Sequence, residues 1–470
     1  MINVKSANPE KVKDNDYRLI NLIFGFFPIS FVMGSLIINV NLLIFCIFGI
    51  YYLKSKILTI KFDFTLKIIF LFFLVVFIAS GVSLIKFLYF DGYGDNNLSR
   101  FLKSIFLFRY FLFLIIIFLL NKFDILKFKY FFIFAFISSI LVSIDIIFQY
   151  FVGYNTIGLK NAGTRNSGFF GDEHIAGGYI LRFSIFAILF VILFFKDKNY
   201  IKLLSTLFTI CILGAGILFS GNRMPLSVFI FGLALLFFSN FKIKKILFLS
   251  LISLILFLTI VISSNNSYKN IYQSFLGQAK NVLLGQGITK WRKVEHIVTD
   301  KNIVENKTTF YTVKWESEHR RLYLTAIDTW KFSKVLGNGI KSFREDCHRL
   351  REQPDVSLEE NLYPDKKNRL CSNHPHNYYF EMLTETGIAG LSVIFVLACI
   401  FIIFIFKNYK LMKVTNIENF FLCSAIISLI LETLPLRSSG SIFTTNNTTY
   451  IILIAAIILC YKKLLNTKIE

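Results

Sequence analysis

Twelve apolar segments recur along the chain, and each is close to the length of a membrane-spanning helix. A helix needs about 20 apolar residues to cross the hydrocarbon core of a bilayer. Hydrophobic residues make up 55% of the 470 residues and charged residues only 17%, which is more apolar surface than a soluble fold can bury. The sequence therefore predicts an all-α, polytopic membrane protein with about 12 transmembrane helices. The predicted spans cover residues 19–34, 35–53, 64–85, 105–120, 130–153, 175–195, 203–220, 225–240, 246–263, 378–406, 418–436 and 448–461.

Lysine residues are concentrated in every second connection between these spans, as the positive-inside rule requires of cytoplasmic loops. The formal net charge of +22 therefore reflects membrane topology rather than a nucleic-acid-binding surface. This pattern places both termini in the cytoplasm. The predicted division of the chain is a cytoplasmic tail (1–18), spans 1–9 (19–263), an external loop (264–377), spans 10–12 (378–461) and a second cytoplasmic tail (462–470).

The external loop between spans 9 and 10 is predicted to be mainly helical. Apolar residues recur at roughly helical spacing over 268–284, which is typical of a helix lying on the membrane. A second helix is predicted over 320–336, ending at the Gly337–Gly339 turn. Cys347 and Cys371 lie in the same loop, and they can form a disulfide if the loop faces an oxidising compartment.

The stretch 374–391 joins the external loop to span 10 and begins with His374-Pro375-His376-Asn377. Pro375 suits the first position of a helix, where no backbone N–H is needed. His376 would then lie in the first helical turn, where the helix dipole disfavours an imidazolium and keeps the ring neutral, as a general base requires. The stretch also fits an ordinary helix start with polar residues at the membrane interface, so both interpretations stay open.

Arginine residues in three other external segments are candidates for binding an anion. Arg165 lies in a glycine-containing loop before span 6, Arg223 ends a tight turn between spans 7 and 8, and Arg320 and Arg321 begin the second loop helix. Guanidinium groups bind diphosphate oxygens in bidentate fashion, and a lipid-linked diphosphate lies at this depth. Each segment also has an ordinary explanation as a turn, a headgroup contact or a solvated face. The two histidines of the 374–391 stretch are too weak a metal motif alone, so no metal site is predicted.

Four charged residues lie inside predicted spans, where an unpaired charge is costly: Arg109, Asp145, Arg182 and Glu432. We expect these residues to form structural pairs. The alternative is a proton or ion path, which would indicate a secondary transporter. The chain shows no repeated halves, and an external loop of this length is hard to explain in a transporter.

Four external motifs follow one another in the chain: the loop with Arg165, Gly168 and Gly171, the turn Ser220-Gly221-Asn222-Arg223, the segment 334–343 of the long loop, and His374-Pro375-His376-Asn377 with Glu381 and Glu385-Thr386-Gly387. In type and order they resemble the motifs of the O-antigen ligase and polymerase superfamily of bacterial inner membranes. The resemblance covers most of the chain from about residue 100 onward. The histidine motif with its preceding Gly337-Asn338-Gly339 is its most specific part.

The resemblance implies a glycosyltransferase that takes its glycan from undecaprenyl diphosphate at the periplasmic face and needs no metal, nucleotide or other cofactor. A single long external loop late in the chain, ending in the histidine motif, favours a ligase that transfers a finished chain to lipid A–core. A polymerase that joins repeat units and a protein O-oligosaccharyltransferase remain open. In each case the partners are the lipid-linked donor, a glycan or protein acceptor and membrane lipids.

Site residues are also implied by the resemblance, position by position. The base that activates the acceptor hydroxyl is His376. The superfamily commonly has a Pro-Asn pair where Glu173-His174 stands here, so no direct role is assigned to His174. The implied diphosphate-binding and supporting residues are Arg165, Arg223, either Arg320 or Arg321, His374 and Asn377.

Overall fold

The computed structural model describes residues 17–89, 97–161, 165–239, 243–283, 288–300, 303–315, 318–352, 370–412 and 417–466. Over these residues the chain is helical apart from one β-hairpin and the connecting segments. Most of the predicted N-terminal tail and the end of the C-terminal tail lie outside the described residues.

Helices account for most of the described residues on both sides of the long connection. Before it lie α1 (Arg18–Gly25), α2 (Phe27–Met33), α3 (Ser35–Leu53), α4 (Phe64–Tyr89), α5 (Asn97–Lys122), α6 (Lys129–Val152), α7 (Ala176–Phe194), α8 (Asn199–Phe219), α9 (Arg223–Ser239) and α10 (Lys244–Ser264). The connection itself contains α11 (Asn266–Leu283), β1 (Ile288–Asp300), β2 (Ile303–Trp315), α12 (Glu318–Trp330) and α13 (Phe343–Glu352). After it lie α14 (Tyr378–Met412), α15 (Ile417–Glu432) and α16 (Thr445–Asn466).

Within the described part of the chain, eight helices are long and apolar enough to cross a membrane. Three shorter apolar helices coincide with α9, α15 and α16. The first predicted span, 19–34, forms the two short helices α1 and α2. Phe26 lies between them, and Pro28 is in the first turn of α2, where no backbone N–H is needed. The chain is therefore a multi-pass helical membrane protein, and the count of twelve spans stays a prediction.

The long connection contains a β-hairpin that the sequence analysis did not predict. Strands β1 and β2 pair antiparallel, from Ile288 opposite Trp315 to Asp300 opposite Ile303. The sequence signal is the run of β-branched and aromatic residues over 308–313. The other elements of the connection are helical, and α11 lies close to its predicted position.

Helix α7 lies in the interior of the bundle and contacts α6, α8, α9 and α15. Almost every residue between Ile180 and Leu189 is buried. Phenylalanine rings from neighbouring helices pack here edge to face, as with Phe131 and Phe186 at a centroid distance of 5.2 Å. The phenylalanine-rich composition thus fills the space between helices as well as the lipid-facing surface.

Helix α14 is broken at Gly387, whose φ of 65° and ψ of −164° suit glycine alone. The loop segment 334–339 supplies hydrogen bonds on both sides of the break. The N–H groups of Ile388 and Ala389 donate to the carbonyls of Lys334 and Val335 at 3.0 Å. The N–H groups of Asn338 and Gly339 donate in the other direction, to the carbonyls of Thr384 and Glu385, also at 3.0 Å.

We call this pairing of residues 334–339 with residues 384–389 the interlock. It explains why the predicted end of the second loop helix, at Leu336, was wrong. Helix α12 ends at Trp330, six residues before the predicted Leu336. The Gly337–Gly339 turn does not cap that helix. It lies against α14 instead, and a Cβ on Gly337 would come within 2.4 Å of the Glu385 carbonyl carbon. Backbone polar groups at membrane depth are thereby satisfied by protein rather than by lipid.

The four charged residues inside spans all have polar partners. Arg109 donates to the Tyr110 hydroxyl at 2.8 Å, and Asp145 accepts from the N–H and hydroxyl of Thr156 at 2.9 and 2.6 Å. Arg182 forms an ion pair with Glu432. These contacts favour structural pairing over a proton or ion path.

Candidate functional site

Three histidine rings lie together where α14 begins. The ring centroid of His376 is 4.3 Å from that of His374 and 5.9 Å from that of His319, which lies in the first turn of α12. The sequence analysis noted His374 and His376 and gave His319 no role. Its position next to Arg320-Arg321 was the signal that could have identified it.

His376 lies before α14 rather than in its first turn, so the predicted cause of a neutral ring was wrong. The helix begins at Tyr378, and Asn377 is its cap, because the Asn377 side-chain oxygen accepts from the N–H groups of Tyr379 and Phe380 at 3.0 and 3.3 Å. His376 has a φ of 57°, in the left-handed region that non-glycine residues rarely adopt. Its backbone is held by the Ser439 N–H, which donates to the His376 carbonyl at 3.0 Å.

Burial keeps both adjacent imidazoles neutral. The half-buried position of His376 lowers its pKa, the neighbouring His319 lowers it further, and a hydrogen bond with the Ser439 backbone opposes both. Burial, His376 and Arg344 lower the pKa of His374 to about 4. The Nε2 atom of His374 is buried and has no hydrogen-bond partner among the described residues. At neutral pH, His374 is therefore an uncharged ring with one unused polar atom.

The segment that follows α15 is attached to the start of α14 by side chains as well as by Ser439. Asn377 donates from its side-chain amide to the Pro435 carbonyl at 2.7 Å, and the Tyr379 hydroxyl donates to the Thr433 carbonyl at 2.5 Å. The residues that follow His376 are thus fixed to the loop between α15 and α16. Sequence reasoning had no signal for this contact, because about 60 residues separate its two sides.

Helix α12 brings the adjacent arginines to the histidines. Tyr323 stacks on Phe380 with ring centroids 4.7 Å apart, which attaches the start of α12 to the start of α14. Arg320 is exposed and Arg321 is half-buried, and both lie in the first turn of α12. The start of α12 carries the positive end of the helix dipole as well as the two guanidinium groups. An anionic ligand at this point would be stabilised by the dipole and by the arginines.

Arg165 and Arg223 belong to a second group of contacts. The Asn166 side chain donates to the Phe219 carbonyl at 2.6 Å, and the Asn222 side chain donates to the His174 carbonyl at 3.1 Å. These bonds join the loop with Arg165 to the turn with Arg223. No hydrogen bond or ion pair among the described residues joins either arginine to His376.

Two further cations were missed, Arg344 near His374 and Lys341 beside Glu385. Arg344 is exposed in the first turn of α13, close enough to His374 to lower its pKa. Lys341 has a φ of 58°, and its backbone N–H donates to the Glu385 carboxylate at 2.5 Å. Burial and then the neighbouring Lys103 and Arg344 lower the pKa of Lys341. The segment 334–343 had been noted for its glycines alone.

Cys347 and Cys371 form a disulfide with a Cα–Cα distance of 5.6 Å, a pairing that the sequence leaves open. His348 lies near the two sulfur atoms. Because the two sulfurs are bonded to each other, neither is a thiolate that could bind a metal ion with His348. The disulfide attaches α13 to the residues just before His374, within a small cluster of Leu322, Ala326 and Phe343.

An apolar cavity of about 260 Å³ runs along α14 from Tyr379 to Phe404. Helices α4, α5, α15 and α16 form its other walls. Its near end includes Met382 and Thr433, beside the residues that hold His376. The near end of the cavity thus lies at Tyr379, three residues after His376.

Comparison with known proteins supports the resemblance drawn from the sequence. Residues 207–395 match a family model described as O-antigen ligase. The match spans α8 to the first half of α14, including Arg223, Arg320, Arg321 and the histidine cluster. A search of curated proteins finds no match to the chain. The predicted resemblance to the O-antigen ligase and polymerase superfamily, a family of glycosyltransferase-like enzymes, is therefore confirmed.

Proposed function

We propose that this protein is an O-antigen ligase-type glycosyltransferase. It would move a glycan from undecaprenyl diphosphate to a hydroxyl of lipid A–core, at the periplasmic face of the bacterial inner membrane and with both termini in the cytoplasm. The observation that carries the proposal is the cluster of His319, His374 and His376, next in sequence to Arg320 and Arg321, with an apolar cavity along the same helix α14. The match to the O-antigen ligase model covers the three histidines and the two arginines.

The proposed reaction is an in-line displacement at the anomeric carbon. His376 takes the proton of the acceptor hydroxyl, and the acceptor oxygen forms the new bond to the anomeric carbon. The bond from that carbon to the diphosphate oxygen breaks, and its electron pair leaves with polyprenyl diphosphate. Attack from the side opposite the leaving group inverts the anomeric configuration.

Cationic side chains supply the stabilisation of the leaving group in this proposal, so that no metal ion is required. Arg320 and Arg321 lie at the N-terminus of α12, where an oxyanion is stabilised by the helix as well as by the guanidinium groups. Arg165 and Arg223 are kept as diphosphate ligands on the ground of the resemblance. The apolar cavity along α14 offers a place for the first part of the lipid chain.

His374 and Asn377 have supporting roles in the proposal. Asn377 caps α14 and fixes the backbone that follows His376. His374 packs against the base, with its ring centroid 4.3 Å from that of His376. Since its pKa is about 4, His374 remains a neutral hydrogen-bonding group across the physiological range.

The pH dependence of transfer follows from the lowered pKa of His376. A base must be neutral, so activity is lost only when the pH falls through the pKa of His376 in the folded protein. We expect the acid limb of kcat/KM to lie below the usual histidine value of 6.5. Replacing His319 with alanine removes one cause of the lowering and should move the limb to higher pH. Measurement of kcat/KM between pH 4.5 and 8 tests this, and an acid limb above 6.5 in the unmodified protein would contradict it.

Deletion of the gene from its host distinguishes ligase from polymerase. A missing ligase leaves full-length glycan chains that are not attached to lipid A–core. A missing polymerase leaves core carrying a single repeat unit. We expect the first pattern when surface lipopolysaccharide is separated by gel electrophoresis and the lipid-linked pool is extracted. The second pattern, or loss of glycan from a surface protein with normal lipopolysaccharide, would reject the ligase assignment.

A further inference from the structure

Glu432, the last residue of α15, is the centre of a buried ionic network. Its two carboxylate oxygens accept hydrogen bonds from Arg182 on α7 at 2.5 and 3.0 Å and from Arg437 at 2.8 Å. The Glu432 side chain is 1% exposed, and those of Arg182 and Arg437 are 10% and 9% exposed. Arg182 also donates to the side chains of Asn446 and Asn447 on α16. One carboxylate therefore holds two arginines and joins three helices.

The same carboxylate is connected to His376 by two routes. In the first, the hydroxyl of Tyr378, two residues after His376, donates to Glu432 at 2.7 Å. In the second, Arg437 donates to Glu432 and lies two residues before Ser439, whose N–H donates to the His376 carbonyl. Arg437 is fixed to the end of α15 by a further bond, to the Leu431 carbonyl at 3.1 Å. Glu432 thus fixes both a residue of α14 next to the histidine and the loop segment that bonds its backbone.

We propose that Glu432 is a positioning residue that holds the His376 imidazole in its reactive place through Tyr378 and Arg437. The inference rests on the proposed role of His376 as the base. Glu432 does not touch the imidazole, so its effect is on geometry. A left-handed backbone at a histidine persists only where its surroundings determine it.

The network has more than a general stabilising effect because its contacts converge on one short stretch. Tyr378 and Ser439 both bond within two residues of His376. The arrangement therefore fixes the backbone on which the proposed base stands.

The test uses two variants, Tyr378→Phe and Glu432→Gln, with Tyr110→Phe as the matched control. Tyr110 is a buried tyrosine of α5 whose hydroxyl accepts a hydrogen bond from Arg109, and it is not part of the network. Transfer from a polyprenyl-diphosphate-linked glycan is measured per folded protein, as kcat and KM. In parallel, diethyl pyrocarbonate labelling of His376 is followed by peptide mass spectrometry, with fragment ions that separate His376 from His374.

We expect Tyr378→Phe to lower kcat by about tenfold, since a misplacement of about 1 Å can cost a hundredfold. KM for the donor should change by less than about twofold, and His376 should be labelled several-fold faster. Glu432→Gln should show the same changes in greater degree. If Glu432→Gln fails to fold, Tyr378→Phe decides, because it keeps the carboxylate and both arginines. Normal kcat and normal labelling in folded Tyr378→Phe, equal to Tyr110→Phe, would overturn the proposal.

His376→Ala, measured alongside, separates this inference from the proposed function. Loss of transfer in His376→Ala together with normal kcat and labelling in Tyr378→Phe rejects the role of Glu432 alone. Near-normal transfer in His376→Ala rejects His376 as the base, and with it the positioning role that Glu432 would serve.

Discussion

Replacing His376 with alanine should lower glycan transfer by about 10²–10⁴-fold, the usual contribution of a general base. His376 is the ring at the centre of the cluster, with His374 at 4.3 Å and His319 at 5.9 Å between ring centroids. Neither neighbour occupies the same position, because the nearer ring centroid is 4.3 Å away. The measurement is transfer from lipid-linked glycan to acceptor in membranes that contain equal amounts of folded protein.

His348→Ala is the control for this experiment. His348 is an exposed residue of α13 in the same connection, and it lies outside the cluster. We expect it to transfer glycan at a rate close to that of the unmodified protein. If His376→Ala retains a rate within about threefold of His348→Ala, His376 is not the base.

Replacing Gly387 with alanine should reduce the free energy of unfolding by roughly 2–5 kcal/mol, the sum of a left-handed-region penalty and overpacking. Gly387 has a φ of 65°, and a Cβ there would lie 2.3 Å from the Val335 carbonyl oxygen. The neighbouring atoms are backbone on both sides, so they cannot move aside without breaking the hydrogen bonds of the interlock. The thermal unfolding midpoint of the detergent-solubilised protein measures the effect.

Gly178→Ala provides the comparison, because no atom lies within 4 Å of a Cβ at that position of α7. Alanine is the better helix former, so this change should be neutral or slightly stabilising. Equal unfolding midpoints for Gly387→Ala and Gly178→Ala would show that the break in α14 is not held by this close packing. Gly337→Ala, on the other side of the same contact, should behave like Gly387→Ala.

The helices within the bundle could be predicted from the sequence because apolar length is a local property. Each predicted span contains a helix, and the predicted α11 lies within a few residues of its place. The break at Gly387 could not be found in this way. Hydrophobicity continues through it, and its hydrogen-bond partners are about 50 residues earlier in the chain.

The candidate site was predicted in part. Residue type and order identified His376 and the adjacent arginines of α12, and their roles stay predictions. The structure places the ring centroid of His319, the residue before these arginines, 5.9 Å from that of His376. The helix-dipole argument for His376 was wrong, because Asn377 rather than a residue before Pro375 caps α14. The parts that were missed, His319, Arg344 and the contacts of Glu432, depend on distances between segments that no local pattern contains.

The interlock at Gly387 also bears on how this protein can be recombined with its relatives. The long connection is not an appendage inserted between two spans, because its segment 334–341 supplies part of the hydrogen bonding of α14 and, through Ile340, contacts Ser80 of α4 at 3.2 Å. If the connection were exchanged only as far as the start of α14, residues 334–341 would come from one protein and the first turns of α14, which they bond, from another. In any chimera intended to alter specificity, residues 334–341 and the first turns of α14 should therefore come from the same parent protein.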